Sequence, residues 1–268
     1  MTQPNESLHL LALLVHRGYL GREGAQRVAQ AMERGLGLAD AMANETPFSP
    51  EYCAWLVETK AGQYPRIPGF EVGPCLGRGG TSEVFRVKEL KTGQTMVLKV
   101  LGPVAMRQKA TLKGFVEEGK RLALLRHPGL VEGYGVARYG EVIFSKLEYV
   151  EGETLQDILD RQGVFQEDEA LALLVQVAQA LQYLAQADLV HRDVKPGNIM
   201  VTEEGRVKLI DLGFCAVQDE ACREGLAVGT VEYLSPEQAL GGAGADVRSD
   251  IYSLGVTLFQ MTIGRLPF

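Results

Sequence analysis

Cysteine is scarce. The chain has four in 268 residues (Cys53, Cys75, Cys215 and Cys222), with no CxxC pair, and only four histidines. That spacing argues against a structural zinc site or a disulfide framework and fits a reducing compartment, so a cytoplasmic location is expected. The thiols read as packed or idle side chains. Positive charge is also short: Lys and Arg total 27 against 34 Asp and Glu, a net charge of −7. An acidic chain is a poor partner for nucleic acid or an anionic membrane, and neither is expected here. Long apolar runs are missing. No stretch approaches the roughly 18 residues that cross a bilayer. The apolar segment from Leu8 to Val15 contains His9 and is bounded by His16. No basic segment precedes it and no small-residue cleavage site follows it, so no secretory signal is expected. A repeat of about 20–50 residues is absent, which excludes solenoids and propellers.

What is present is an ordinary globular composition, with 46% apolar and 23% charged residues. At about 150 residues per domain, the length predicts one or two domains with a real core. Residues 1–61 read as a helical module. Leu10, Leu13, Leu14 and Arg17 keep helical spacing, and Ala25, Val28, Ala29 and Met32 form a second pattern. Ser49-Pro50-Glu51 has the chemistry of a helix start, ahead of Tyr52, Trp55 and Leu56. Residues 62–69, with two prolines and two glycines, predict a linker. Short strand-like runs follow at 70–72, 83–87 and 96–100, the last two joined by the turn Lys91-Thr92-Gly93-Gln94. A helix is expected at 112–125, then strands around 130–139 and 142–149. From Leu155 onward helices dominate, interrupted by short strands at 199–201 and 207–210. A strand-rich half followed by a helix-rich half predicts an α+β chain with two lobes.

Four segments carry chemistry. Residues 76–84, Leu76-Gly77-Arg78-Gly79-Gly80-Thr81-Ser82-Glu83-Val84, join two predicted strands. Glycines let the backbone come close to a phosphate, and free N–H groups cradle it. Alone the loop is a weak signal. It is not a P-loop, because no Gly-Lys-Ser/Thr follows, and not a dinucleotide fingerprint, because a strand follows rather than a helix. Lys99 sits in the apolar run Met96-Val97-Leu98-Lys99-Val100. Its ammonium must reach solvent or find a carboxylate, and the next predicted helix offers Glu117 and Glu118. His191-Arg192-Asp193-Val194-Lys195-Pro196-Gly197-Asn198 is far more specific. It places on one loop a carboxylate that takes a hydroxyl proton, an ammonium that neutralises a phosphate and an amide oxygen that ligates a divalent ion. Asp211-Leu212-Gly213 then ends a short apolar strand, so Asp211 beside Asn198 makes an all-oxygen magnesium site.

With these residues in this order, the chain resembles the eukaryotic-type protein kinases, and most closely the bacterial Ser/Thr kinases, over about residues 70–268. Ser235-Pro236-Glu237 stands where that family has Ala-Pro-Glu, and Asp250-Ile251-Tyr252-Ser253-Leu254-Gly255 matches the helix anchoring its larger lobe. The resemblance implies a bilobal fold: a small antiparallel-sheet lobe at 70–150 and a mainly helical lobe at 151–268. It implies ATP-dependent phosphoryl transfer to Ser/Thr hydroxyls of proteins, with Mg2+ or, as the alternative, Mn2+. Residue by residue, Lys99 contacts the α- and β-phosphates and pairs with Glu118, with Glu117 as runner-up. Asp193 orients and deprotonates the substrate hydroxyl, and Lys195 neutralises the transferring phosphoryl. Asn198 and Asp211 hold the metal. The loop glycines Gly77 and Gly79 cover the phosphates. Leu76, Val84 and Met200 sandwich adenine, which the backbone of Glu148 and Val150 hydrogen-bonds, with Leu147 as gatekeeper. Gly229-Thr230 faces the substrate. His191 is structural, packing against Leu212.

Some residues depart from the family pattern. Ser82 replaces the third loop glycine and Leu212 the familiar Phe. Residues 212–229 contain no Ser, Thr or Tyr, so activity independent of phosphorylation in that segment is expected, although Arg192 precedes the catalytic Asp. Cys215 and Cys222 lie there and are expected to be idle thiols rather than a redox switch. The family continues with further helices beyond Phe268, including an arginine that pairs with the residue equivalent to Glu237. The helical lobe is therefore expected to be incomplete and the piece weakly stable or poorly active. The alternative reading is a pseudokinase or truncated scaffold acting through residues 1–61, for which a regulatory partner is expected. Against it stands the full set Lys99, Glu118, Asp193, Asn198 and Asp211. A small-molecule kinase fits Lys195 and Ser235-Pro236-Glu237 less well.

Overall fold

A computed structural model describes residues 4–17, 19–58, 67–102, 105–106, 108–140, 142–212, 216–217, 230–240 and 246–268. The chain divides into two units, Met1–Glu117 with Gly135–Tyr149, and Glu118–Tyr134 with Val150–Phe268.

The first unit opens with helices α1 (Pro4–His16), α2 (Arg22–Glu33), α3 (Leu38–Glu45) and α4 (Pro50–Glu58). Leu14, Val28, Ala31, Ala41, Met42, Cys53 and Leu56 are fully buried. Each large side chain there contributes about 1.5–3 kcal/mol of burial against the entropy of ordering. Ser49 starts α4 as its chemistry predicts, its Oγ accepting from the Tyr52 N–H at 3.2 Å. Helix α3 has no counterpart in the sequence reading. At 8 residues, with no side-chain cap at Gly37, it offers too few turns for a period to emerge. The Trp55 side chain and residues 62–66 of the expected linker lie outside what is described, while Ile67 within the expected linker is 2% exposed and belongs to a packed core.

A five-stranded sheet follows, formed by β1 (Phe70–Arg78), β2 (Ser82–Glu89), β3 (Thr95–Leu101), β4 (Gly133–Tyr139) and β5 (Val142–Glu148), in the order β1-β2-β3-β5-β4. Gly93, at φ +74°, makes the turn between β2 and β3. Helix α5 (Lys109–Leu122) contributes Phe115 to a cluster with Leu101, Ala105 and Ile143.

In the second unit, β6 (Glu153–Thr154) leads into α6 (Leu155–Gln162). Thr154 and Asp157 form a reciprocal capping box, worth about 1 kcal/mol. Helix α7 (Glu167–Gln186) buries Leu173, Leu174, Val177, Leu181 and Leu184, and sets Glu167, Asp168 and Glu169 at its positive end. The strands β7 (Leu189–Val190) and β10 (Ala216–Val217) pair with each other. The hairpin of β8 (Ile199–Val201) and β9 (Val207–Leu209) pairs with β6. Gly152, at φ +155°, lets the chain pass there: a Cβ would lie 2.2 Å from the Val201 carbonyl oxygen. Two further helices, α8 (Pro236–Ala239) and α9 (Val247–Ile263), complete the unit. Among the described residues no helix is long and apolar enough to cross a membrane.

Candidate active site

The segment between β7 and β8 brings the predicted polar residues together. The Asp193 carboxylate is 3% exposed. Its Oδ1 accepts from the Thr230 N–H and hydroxyl, both at 2.8 Å. Its Oδ2 accepts from Asn198 Nδ2 and lies against Lys195 Nζ, again at 2.8 Å each. Lys195 also donates to the Thr230 hydroxyl. A buried carboxylate with this many charged and polar donors is held in one orientation. It faces a cation that can stabilise developing negative charge, which is the arrangement needed to steer a hydroxyl proton.

The loop carrying Asp193 is held from below. Asp250 on α9 is 1% exposed and accepts the His191 and Arg192 N–H groups at 2.8 Å each. Burial pushes its carboxyl up, opposed by nearby His191 and by those two bonds. Arg192 sits at φ +72°, a left-handed conformation that a long side chain rarely adopts, and its carbonyl accepts from Gln238 Nε2 at 3.1 Å. Burial holds His191 below its ordinary value, so its ring is neutral. Its Nδ1 accepts from the Asp193 N–H at 3.3 Å. The sequence reading recognised the helix of Asp250 but missed its carboxylate as the loop's anchor, and it missed Gln238 altogether. A buried amide carries no local sequence signal.

The hairpin register sets the backbone of Asn198 beside Ile210, the residue before Asp211. Ile199 pairs with Leu209, and the Ile210 N–H donates to the Asn198 carbonyl at 3.0 Å, so Asp211 follows directly. Asn198 is 7% exposed and turns its amide nitrogen to Asp193. Among the described residues nothing donates to its Oδ1. An amide oxygen left without a protein donor, next to a carboxylate, suits a hard divalent cation. No group of three His, Cys, Asp or Glu side chains forms a metal cage among the described residues. A cation here would therefore rest on Asn198 and Asp211, with its other ligands from phosphate and water. Gly213, Cys215, Cys222 and Gly229 lie outside the described residues.

In the first unit, cross-strand register builds one face of the sheet. Val84 of β2, Lys99 of β3 and Ser145 of β5 are direct partners, as are Arg86, Val97 and Leu147. Directly opposed residues, and residues two apart, share a face. Val84, Val97, Lys99 and Leu147 therefore line the same side. Gly77 lies opposite Val84. The glycine-rich turn is closed by the Gly79 N–H donating to the Ser82 carbonyl at 2.8 Å, and by an Arg78–Glu83 ion pair of 3.1 Å. Leu76 is 49% exposed, and Glu148 is half-buried at the end of β5. On α5, Glu117 pairs with Lys113 of its own helix at 3.7 Å. In the second unit, Glu118 and Met200 are half-buried, and Val150 is buried.

Residues 70–268 match the protein kinase domain. A probable serine/threonine-protein kinase of Clostridium perfringens is 35% identical over 201 residues, covering 74% of this chain and 29% of that one. The serine/threonine-protein kinase PknB of Mycobacterium leprae is 35% identical over 206 residues, covering 74% and 33%. PknB of Mycobacterium tuberculosis is 36% identical over 207 residues, covering 74% and 33%. The chain spans about a third of the length of these curated relatives.

Proposed function

We propose, for a chain that belongs to the protein kinase family, that it transfers the γ-phosphoryl group of ATP to serine and threonine hydroxyls of proteins. The observation that carries the reading is the buried Asp193 carboxylate, fixed by Thr230 and Asn198 beside the Lys195 ammonium. In this reading Asp193 orients the substrate hydroxyl and receives its proton. A bond forms between that oxygen and the γ-phosphorus as the bond to the ADP oxygen breaks. Lys195 and Lys99 neutralise phosphate charge, and Glu118 is assigned to hold Lys99. Asn198 and Asp211 would hold Mg2+, which supplies charge neutralisation at the phosphates. Leu76, Val84 and Met200 enclose adenine, Gly77 and Gly79 cover the phosphates, and the backbone of Glu148 and Val150 reads the base edge. Positioning and charge compensation are the whole chemistry, because a loose phosphoryl transition state needs little covalent help.

The helical module is assigned a regulatory role, acting on the glycine-rich turn or through a partner protein. Supporting this, Tyr19 is 6% exposed and lies within electrostatic reach of both Glu83 and Arg78, the ion pair that closes that turn. Burial first, and Glu83 second, push its hydroxyl well above the ordinary value of 10. The four scattered cysteines support a cytoplasmic location.

The test is phosphotransfer from labelled ATP to a generic Ser/Thr substrate. Asp193→Ala is expected to lower turnover by about 10²- to 10⁴-fold, the usual weight of a positioned base. Asp211→Ala is expected to abolish the thermal shift produced by ATP with Mg2+. An Asp193→Ala protein as active as the original would sink the reading.

A further inference from the structure

We propose that Arg86 is a positioning residue for the nucleotide base, tying β2 to the chain segment that reads adenine by lying over the Tyr149 ring. The inference rests on the kinase reading above and deepens it at the base-binding end.

Arg86 places its guanidinium carbon 4.8 Å from the centroid of the Tyr149 ring. Register sets Arg86 opposite Val97, and Val97 opposite Leu147. Arg86 therefore stands on the same face as Val84 and Lys99, at the end of the sheet from which residues 148–150 depart. β1 yields at this point. Its register breaks between Val72 and Cys75, and a Cβ on Gly73 would lie 3.0 Å from the Arg86 carbonyl oxygen. Arg86 thus sits beside a bulge, where β1 does not hold β2 in a regular ladder.

Two observations separate this contact from an idle surface arginine. Among the described residues no carboxylate lies within 4.0 Å of the Arg86 guanidinium, so the ring is not a chance neighbour of an ion pair. The ring also belongs to the residue between Glu148 and Val150. Peptide planes are rigid, so a side chain fixed at Tyr149 limits the rotation of the planes on either side. Those planes carry the carbonyl of Glu148 and the N–H of Val150. A planar guanidinium stacked on an aromatic face is suited to this, and a lysine, which is a hydrated point charge, much less so.

The test uses the full chain with Arg86→Ala, Arg86→Lys, Tyr149→Leu and Tyr149→Phe. It measures direct binding of a fluorescent ATP analogue, steady-state kinetics and melting temperature. Arg86→Ala and Tyr149→Leu are each expected to weaken ATP binding and raise KM for ATP about two- to fivefold, the scale of an exposed cation–π contact. Their kcat and melting temperature should be unchanged. Tyr149→Phe keeps the ring and should match the original, while Arg86→Lys should fall between. The double variant Arg86→Ala/Tyr149→Leu should be no worse than either single, because both remove the same contact. Unchanged ATP affinity in Arg86→Ala overturns the proposal. So do fully additive single effects, or a parallel fall of kcat and melting temperature. Binding of the analogue reads the contact without turnover. If Asp193→Ala transfers phosphate as well as the original, the kinase reading fails alone. If Asp193→Ala is inactive and Arg86→Ala binds normally, the Arg86 proposal fails alone.

Discussion

Asp250 shows how one side chain can set the geometry of a site it does not enter. Its two oxygens take two successive backbone donors, His191 and Arg192, and the second of these residues is held at φ +72°. A non-glycine residue in that region costs about 1–3 kcal/mol, so it persists only where its surroundings over-determine it. Removing the acceptor leaves two buried donors unsatisfied and releases the strained residue next to Asp193. Asp250→Ala is therefore expected to destabilise the chain by about 3 kcal/mol in urea unfolding. Asp250→Asn keeps one acceptor and should lose roughly half as much. Phosphotransfer should fall further in the alanine variant than its residual folded fraction accounts for. Equal stability of Asp250→Ala and the original chain would remove Asp250 from its anchoring role.

At the scale of elements, helix α9 is started by Asp246, whose carboxylate accepts the Arg248 N–H at 2.8 Å and pairs with the Arg248 side chain. The Arg248 hydrogen bond, more than any other cause, holds the Asp246 carboxyl below its ordinary 3.8. The Ser249 hydroxyl does the same for Glu237, below 4.5. A carboxyl lowered on folding adds stability that is fully present above its unfolded value and lost as pH falls through the folded one. Melting temperature should thus decline on acidification from about pH 5 to pH 3. Asp246→Asn keeps a capping oxygen but removes the charge, so its decline should be shallower. Parallel profiles for the two proteins would count against this source of acid sensitivity. The same scale shows what was legible in the sequence. The strands around Val84 and Lys99 and the loop of Asp193 and Asn198 followed from apolar patterning and motif order, because period and spacing are local properties. Helix α3 escaped because eight residues barely make a pattern. The Gln176 amide, which donates to the Gly205 carbonyl and accepts from the Val207 N–H, holds the turn of the β8–β9 hairpin. It escaped because no local pattern says where a polar side chain points. Arg86 and Tyr149 escaped because their contact joins segments far apart in the chain.

At the scale of the whole molecule, a kinase domain preceded by four helices raises the question of what the helices do to the catalytic part. Their described core is built mainly from apolar side chains such as Leu14, Val28, Met42 and Leu56. An electrostatic link from the helices to the glycine-rich turn is Tyr19, within reach of Glu83 and Arg78. Those two residues are register partners across the neck of the turn, within electrostatic reach of the Tyr19 hydroxyl. If the module steadies the turn, Tyr19→Ala should raise hydrogen exchange of amides 77–83 about fivefold, the effect of roughly 1 kcal/mol on a local opening. ATP affinity should fall in the same direction. Amides of helix α7, in the other unit, should keep their protection, which distinguishes a loosened turn from general unfolding. Tyr19→Phe separates the two ways the residue could act. If bulk packing steadies the neck, the phenylalanine variant behaves as the original. If the hydroxyl beside Glu83 matters, it behaves as the alanine variant. Exchange in 77–83 identical across all three proteins would leave the module without influence on the turn, and its regulatory assignment would have to rest on a separate partner.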